Sequence, residues 1–267
     1  MPSHRATSAT STASTASAAS AAPVWRVCVT RDEPADGPLG AALRARAFAP
    51  VACPVLVEAP PEDTPALAQA AGQLARYDWI VCASARAVQA VTRARGRTWP
   101  PQARTAAVGA ATARAIAQAG VREPVVTAPA DGADALWTVL RDAAAWSGVH
   151  ALVLTTDCGR RLLADRLREA GALVDEVEAY RMAPRQAAAI ARDWTAAAPD
   201  AVVIASPRVA ATLTEAVGTE ALTALRCVVA IGATTAAALT HLGVPCVTAA
   251  VADFAAAADT LTAARAG

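Results

Sequence analysis

Short apolar runs, such as Val27-Cys-Val-Thr30, Trp79-Ile-Val-Cys82, Leu152-Val-Leu-Thr155 and Ala201-Val-Val-Ile204, alternate along this chain with longer alanine-rich stretches that carry scattered arginines. Runs that are apolar at consecutive positions, rather than at every second one, predict strands covered on both faces. The alanine-rich stretches predict the crossover helices that cover them. The expected sheet is therefore mainly parallel. Right-handed crossovers point every strand the same way, so the strand-to-helix loops gather along one edge, where a ligand is expected to sit.

The pattern occurs twice. Asp78-Trp-Ile-Val-Cys-Ala-Ser84-Ala-Arg86 matches Asp200-Ala-Val-Val-Ile-Ala-Ser206-Pro-Arg208, with Asp, Ser and Arg at the same separations. Ala107-Val-Gly109-Ala-Ala-Thr112 recurs as Ala230-Ile-Gly232-Ala-Thr-Thr235, and Gly120-Val121 as Gly243-Val244. Val27 to Thr30 recurs as Leu152 to Thr155, each followed by a helix in which Leu43-Arg44 corresponds to Leu167-Arg168 and which ends at Ala47 or Gly171. Pro124-Val-Val-Thr127 pairs with Pro245-Cys-Val-Thr248, strands entered through a proline, where a missing N–H is tolerated. Order alone suggests two tandem α/β domains divided near Gly148. A duplicated pair can equally exchange its first strand-helix unit, with Val51 to Glu58 and Val174 to Tyr180 as the crossing strands. Periodicity leaves both arrangements open.

Composition removes several chemistries. The formal charge is +1 with 18% charged residues, so no basic field favours nucleic acid. All 24 basic residues are arginine; without lysine there is neither Schiff-base chemistry nor a phosphate loop ending in Gly-Lys. The cysteines 28, 53, 82, 158, 227 and 246 show no CxxC spacing and several lie in apolar runs, as expected of buried, reduced thiols in a cytosolic chain. Three scattered histidines make no metal site, and no apolar stretch is long enough to span a membrane. Residues 1–22 are almost wholly Ser, Thr and Ala and read as a disordered tail; their lack of acidic residues also suits a transit peptide, for which the lone Arg5 is thin support.

The candidate chemistry lies at the strand-to-helix loops. Ser84 and Ser206 stand where a strand yields to a helix, so each can cap that helix and leave N–H groups facing outward. Gly109 and Gly232 permit close backbone approach, and Thr112 and Thr235 follow at a helix start, again an anion-accepting end. Helix capping explains any one of these loops alone. Four of them as two related pairs, with Arg31, Arg86, Arg160 and Arg208 nearby, point to a ligand with several negative groups. Tyr180 ends the extended run Leu173-Val-Asp-Glu-Val-Glu-Ala-Tyr. It is one of few side chains here able to donate a proton if it faces the ligand rather than the core.

The set Val29-Thr30-Arg31, Tyr77-Asp78-Trp79-Ile80-Val81, Ser84-Ala85-Arg86-Ala87-Val88, Val108-Gly109-Ala110-Ala111-Thr112-Ala113, Gly159-Arg160, Tyr180-Arg181 and Ile231-Gly232-Ala233-Thr234-Thr235-Ala236 resembles the uroporphyrinogen-III synthase family. The likeness runs from about Val24 to Ala264. It rests on order and spacing, since no single motif is diagnostic. The sequence departs from the family where Ala83 and Ala205 replace a threonine or serine before the loop serine, and where Cys82 replaces an aromatic residue.

The resemblance implies two similar parallel-sheet α/β domains joined by a two-stranded connector, with the active cleft between them. Residues 23–57 and 181–267 would form one domain and 58–180 the other. It implies a lyase without cofactor or metal that closes hydroxymethylbilane into uroporphyrinogen III, inverting the last ring and losing water, in porphyrin (haem) biosynthesis. Tyr180 would assist loss of the hydroxyl. Thr30, Arg31, Ser84, Arg86, Gly109, Thr112, Gly159, Arg160, Ser206, Arg208, Gly232, Thr234 and Thr235 would bind the substrate, with Ser84, Thr112, Ser206, Thr235 and the N–H groups beside them taking its carboxylates. The expected setting is a cytoplasmic monomer whose partner is this small molecule, with neither nucleic acid nor membrane. A non-enzymatic two-domain protein that closes on a small polyanion is the competing reading.

Overall fold

In the computed structural model, residues 24–34, 36–123, 125–128, 132–157 and 161–267 are described; the N-terminal tail expected over residues 1–22 lies outside them. The chain opens with β1 (Arg26–Val29), α1 (Pro38–Arg44), β2 (Ala49–Ala52) and β3 (Leu56–Ala59). It continues through α2 (Thr64–Gly72), β4 (Trp79–Cys82), α3 (Ala85–Arg95), β5 (Arg104–Ala107), α4 (Ala110–Gln118), β6 (Val126–Thr127) and α5 (Ala133–Leu140). Then come β7 (His150–Thr156), α6 (Leu162–Glu169) and the long β8 (Leu173–Pro184). The last part holds α7 (Ala187–Ala197), β9 (Ala201–Ile204), α8 (Pro207–Val217), α9 (Thr219–Thr223), β10 (Cys227–Ala230), α10 (Ala233–His241), β11 (Val247–Thr248) and α11 (Phe254–Ala266).

The strands make two sheets with the same internal order. One is all parallel, β11-β10-β9-β1-β2; the other runs β6-β5-β4-β7-β8 in parallel and is extended by β3, which is antiparallel to β8. Strands from the two ends of the chain thus share the first sheet, and the middle of the chain builds the second. The duplication is visible in detail. Asp78 and Asp200, matched in the sequence, each accept a backbone N–H across the start of the next strand, from His150 and Arg26, both at 2.8 Å.

Both faces of each sheet are covered, as the apolar runs require. In the first sheet Cys28, Val202 and Val228 pack under α7, α8 and α10, while Val27, Val203 and Val229 pack under α1 and α11. In the second, Ile80, Cys82 and Leu152 face α2, α3 and α4, and Trp79, Val81 and Val153 face α5 and α6. Alanine supplies helix propensity and lets helices approach closely, while each leucine fully buried between them adds about 1.5–3 kcal/mol. The described cysteines 28, 53, 82, 227 and 246 are free, all buried except the half-buried Cys246; Cys158 lies outside the described residues. Helices α1 and α6 are followed by left-handed residues, Ala47 (φ 57°) and Gly171 (φ 94°), the positions the repeat pairs.

Two extended segments differ from their sequence reading. Val51 to Glu58 is not one strand: it divides at Cys53-Pro54-Val55 into β2, on the edge of the first sheet, and β3, on the second. Pro54 has no N–H to give a ladder, and the N–H groups of Cys53 and Val55 turn back to the carbonyls of Val29 and Thr30, both at 3.0 Å. Tyr180 does not end its strand. β8 follows β7 in parallel to Tyr180, then runs antiparallel to β3 from Arg181 to Pro184.

Where β4, β7 and β8 begin, Asp175 accepts from the Tyr77 hydroxyl (2.8 Å) and Arg76 (2.5 Å), with His150 at 3.4 Å. Burial and the bond to Asp175 push the Tyr77 phenol up to about 12. Burial works against the Asp175 charge, but the Tyr77 and Arg76 bonds outweigh it and hold the carboxyl below its usual range. A depressed folded-state value contributes stability above the unfolded value, about 3.9, and that contribution is lost as pH falls through the folded one. Asp175→Asn should therefore lower stability by about 1 kcal/mol at neutral pH, since the site is partly exposed. In urea titrations the gap to the unsubstituted protein should close as the pH is taken below about 4. A gap of constant size at all pH values would rule out the charge as its cause.

Candidate functional site

Ser84 and Ser206 hold the same position in the two halves. Each is the N-cap of its helix at φ −158°, ψ 157°, and its hydroxyl accepts the N–H three residues on, Ala87 at 3.1 Å and Val209 at 3.2 Å. The two caps face a shared cavity of 680 Å³ between the sheets, lined also by Thr30, Arg31, Asp32, Leu56, Arg86, Tyr180, Met182 and Arg208. A neighbouring 570 Å³ cavity shares Ser84 and Tyr180 and extends over Val108, Gly132, Asp134, Thr155 and Thr156.

Tyr180 stands at the junction of both cavities, 8% exposed, with Ser84 Oγ donating to its phenolic oxygen at 3.2 Å. Its aim depends on an irregularity. Thr155 pairs with Glu178 but Thr156 pairs with Tyr180, so Ala179 is an extra residue on β8. Such a bulge reverses the alternation of the strand beyond it. Ala179 and Tyr180, which would otherwise face opposite ways, therefore both join the core beneath α2 and α3, with Val177 before them and Met182 after.

The cationic side chains are already engaged. Arg31 meets Glu33 at 3.2 Å and lies over the Phe254 ring at 4.9 Å, while Glu33 also accepts from Leu39 and Gly40 N–H at the start of α1. Arg86 donates to the Asp32 carbonyl and to Met182 Sδ (3.1 Å), with the Asp32 and Glu58 carboxylates at 3.7 and 3.8 Å. Arg208 binds Asp157 at 2.5 Å. The Thr30 hydroxyl is buried and donates to the Val203 carbonyl at 3.1 Å, a structural use.

Of the residues expected from sequence, Thr30, Arg31, Ser84, Arg86, Tyr180, Ser206 and Arg208 thus meet at one cavity. Gly109, Thr112, Gly232, Thr234 and Thr235 are not among its lining residues; they lie at the next strand-to-helix junction along each sheet edge, the glycines after β5 and β10 and the threonines in the first turns of α4 and α10. There Gly109 (φ 83°) and Gly232 (φ −170°) are the N-caps of α4 and α10 without side-chain capping bonds. Thr112 and Thr235 are buried, Thr112 donating back to the Val108 carbonyl, and Thr234 is exposed. Only Gly109 adopts a backbone that favours glycine. Gly159 and Arg160 lie outside the described residues. Among the described residues no cluster of three or more His, Cys, Asp or Glu side chains is placed to hold a metal ion, and no helix is long and apolar enough to cross a membrane.

Sequence reading missed Asp32, Glu33, Asp157, Leu56 and Met182. Asp32 and Asp157 had a signal: each stands two residues after the threonine of a matched strand, Thr30 or Thr155.

The family model for uroporphyrinogen-III synthase HemD matches residues 38–259. Among solved structures, a mutant uroporphyrinogen III synthase from the extremely thermophilic bacterium Thermus thermophilus is similar at 20% identity and TM-score 0.50, over 91% of this chain and 99% of that one. Uroporphyrinogen-III synthetase from Helicobacter pylori is similar at 15% identity and TM-score 0.56, over 90% of this chain and 99% of that one. At these identities the likeness to the solved structures is one of fold.

The two caps give a matched test. Ser84→Ala and Ser206→Ala should each lower stability by about 1 kcal/mol, and the glycine variants by only a few tenths. Chemical denaturation of the four variants checks this; alanine and glycine variants of equal stability would mean that the serines do not cap.

Proposed function

The chain belongs to the uroporphyrinogen-III synthase family, and from that premise we propose that it closes hydroxymethylbilane into uroporphyrinogen III with inversion of the last ring and loss of water. The observation that carries this reading is the Ser84–Tyr180 hydrogen bond at the wall of a cavity faced by the two capped helices. The substrate brings eight acetate and propionate carboxylates, and the cavity offers arginines and helix N-termini from both sheets, groups that suit anions.

Ser84 Oγ accepts from Ala87 N–H and donates to the Tyr180 oxygen, so the phenolic proton is directed away from the serine. In the proposed step that proton passes to the terminal hydroxyl of the substrate, which departs as water. The electrons of the neighbouring pyrrole stabilise the cation left behind. The substituted carbon of the last ring attacks this cation to give a spiro intermediate, which opens and recloses with the ring inverted. The proton released as the last pyrrole regains its aromaticity returns to the phenolate, which Ser84 meanwhile stabilises as a donor. The pyrroles supply the nucleophile, leaving the protein to fold the chain and exclude water.

The purified protein should convert hydroxymethylbilane to the type III isomer, read by chromatography of the oxidised porphyrins; type I alone, the spontaneous product, would sink the enzyme reading in favour of a polyanion-binding protein. Tyr180→Phe should lower kcat by on the order of 100-fold while type III product persists, because positioning survives loss of the acid. Full turnover by Tyr180→Phe would remove the proton-donor role.

A further inference from the structure

Among the described residues, arginine–aspartate contacts cross the cleft from matching positions of the two repeats, though with different geometry. Arg86, the second residue of α3 on the second sheet, reaches Asp32 on the loop after β1 of the first, through both the Asp32 carbonyl and, at 3.7 Å, its carboxylate. Arg208, the second residue of α8 on the first sheet, reaches Asp157 after β7 of the second at 2.5 Å. Each arginine stands two residues beyond a capping serine, and each aspartate two residues beyond the threonine of a matched strand. Each repeat therefore gives its aspartate to the arginine of the other. The arginines sit in the first turn of their helices, where the macrodipole disfavours a cation, so helix stability does not account for them. Asp32, Arg86 and Arg208 line the 680 Å³ cavity, and Asp157 accepts the N–H of Met182, which also lines it, at 3.2 Å.

We propose that Asp32 and Asp157 form a reciprocal double latch. These carboxylates hold the cleft together by engaging Arg86 and Arg208, and carboxylates of an entering polycarboxylate ligand replace them there. The ligand class rests on the function proposed above; the latch itself does not. Its strength suits the role. A partly exposed guanidinium–carboxylate pair shifts an equilibrium by between about 1.4- and 5-fold, so two acting together bias the cleft closed by about 2- to 25-fold and still yield to a ligand. When Asp32 is displaced, Glu58, which also pairs with Arg93, remains near Arg86 and competes weakly.

The test uses Asp32→Asn, Asp157→Asn and the double variant. The side chain introduced by Asp157→Asn can still accept the Met182 N–H, and the Asp32 backbone contact is retained, so folding should survive; thermal melts check it. Small-angle X-ray scattering of the free protein should give a larger radius of gyration for the double variant. The unsubstituted protein should move toward that radius in high salt, which screens ion pairs. Exchanging the partners, as Asp32→Arg with Arg86→Asp, should restore the compact form in the Asp157→Asn background where Asp32→Arg alone opens it. Identical scattering for unsubstituted and double-variant protein at both salt concentrations would overturn the latch. That measurement needs no ligand, so it decides the matter even for a chain that turns over no hydroxymethylbilane. For the exchange step, uroporphyrin I serves as a stable octacarboxylate probe. Binding should tighten by about 1.4- to 5-fold per aspartate removed and weaken in Arg86→Gln and Arg208→Gln. Weaker binding in the aspartate variants as well would show that these carboxylates support the arginines rather than give way to the ligand.

Discussion

The structure depends on one strand that pairs in two directions. β8 can follow β7 in parallel only to Tyr180, because from Arg181 it pairs with β3 running the other way, and these four residues and β3 carry the chain between the sheets. A strand with regular alternation would turn Tyr180 to the side of Glu176 and Glu178, and Glu176 meets Arg161 and Arg168. The extra residue at Ala179 shifts the alternation by one, so Asp175, Val177 and Ala179 are followed on the same face by Tyr180 and Met182. One inserted residue thus decides whether the phenol meets Ser84 in the cleft. Ion pairs brace the connector on either side: Arg93 with Glu58, Arg181 with Glu62 at 3.3 Å, and Arg185 with Asp193 at 2.8 Å.

The parts legible in the sequence are those with a local cause. Val27 to Val29, Trp79 to Cys82 and Ala201 to Ile204 show themselves as strands because burial on both faces leaves them no polar position. Ser84 and Ser206 are legible because a cap must lie at the junction of strand and helix, and the structure gives both the same backbone angles. The bulge was not legible, since Glu178-Ala179-Tyr180 carries no glycine or proline and only pairing with β7 reveals the shift. Nor was the division of Val51 to Glu58, although Pro54 marks it: a proline tells where a ladder is broken, not which sheet takes each half. Asp32 and Asp157 went unnoticed for a different reason. Aspartate after a strand is common, and these two acquire meaning only when the opposing arginines are seen across the cleft.

Duplication explains why the cleft needs so few kinds of side chain. The equivalent loops of two sheets with the same strand order face one another here, so a capping serine and the arginine two residues beyond it each appear twice around one cavity, and each of those arginines meets an aspartate of the other repeat. A guanidinium in the first turn of a helix is displaced from the end where its charge would be favoured, and only an anion in front of it offsets that cost. Here that anion is the other repeat's aspartate. Lysine would fill this role less well, because a planar guanidinium can meet a backbone carbonyl and a carboxylate together, as Arg86 does with Asp32. The same arrangement that satisfies the cations also presents them at the cavity wall. Each guanidinium is thus held beside a carboxylate by the fold itself.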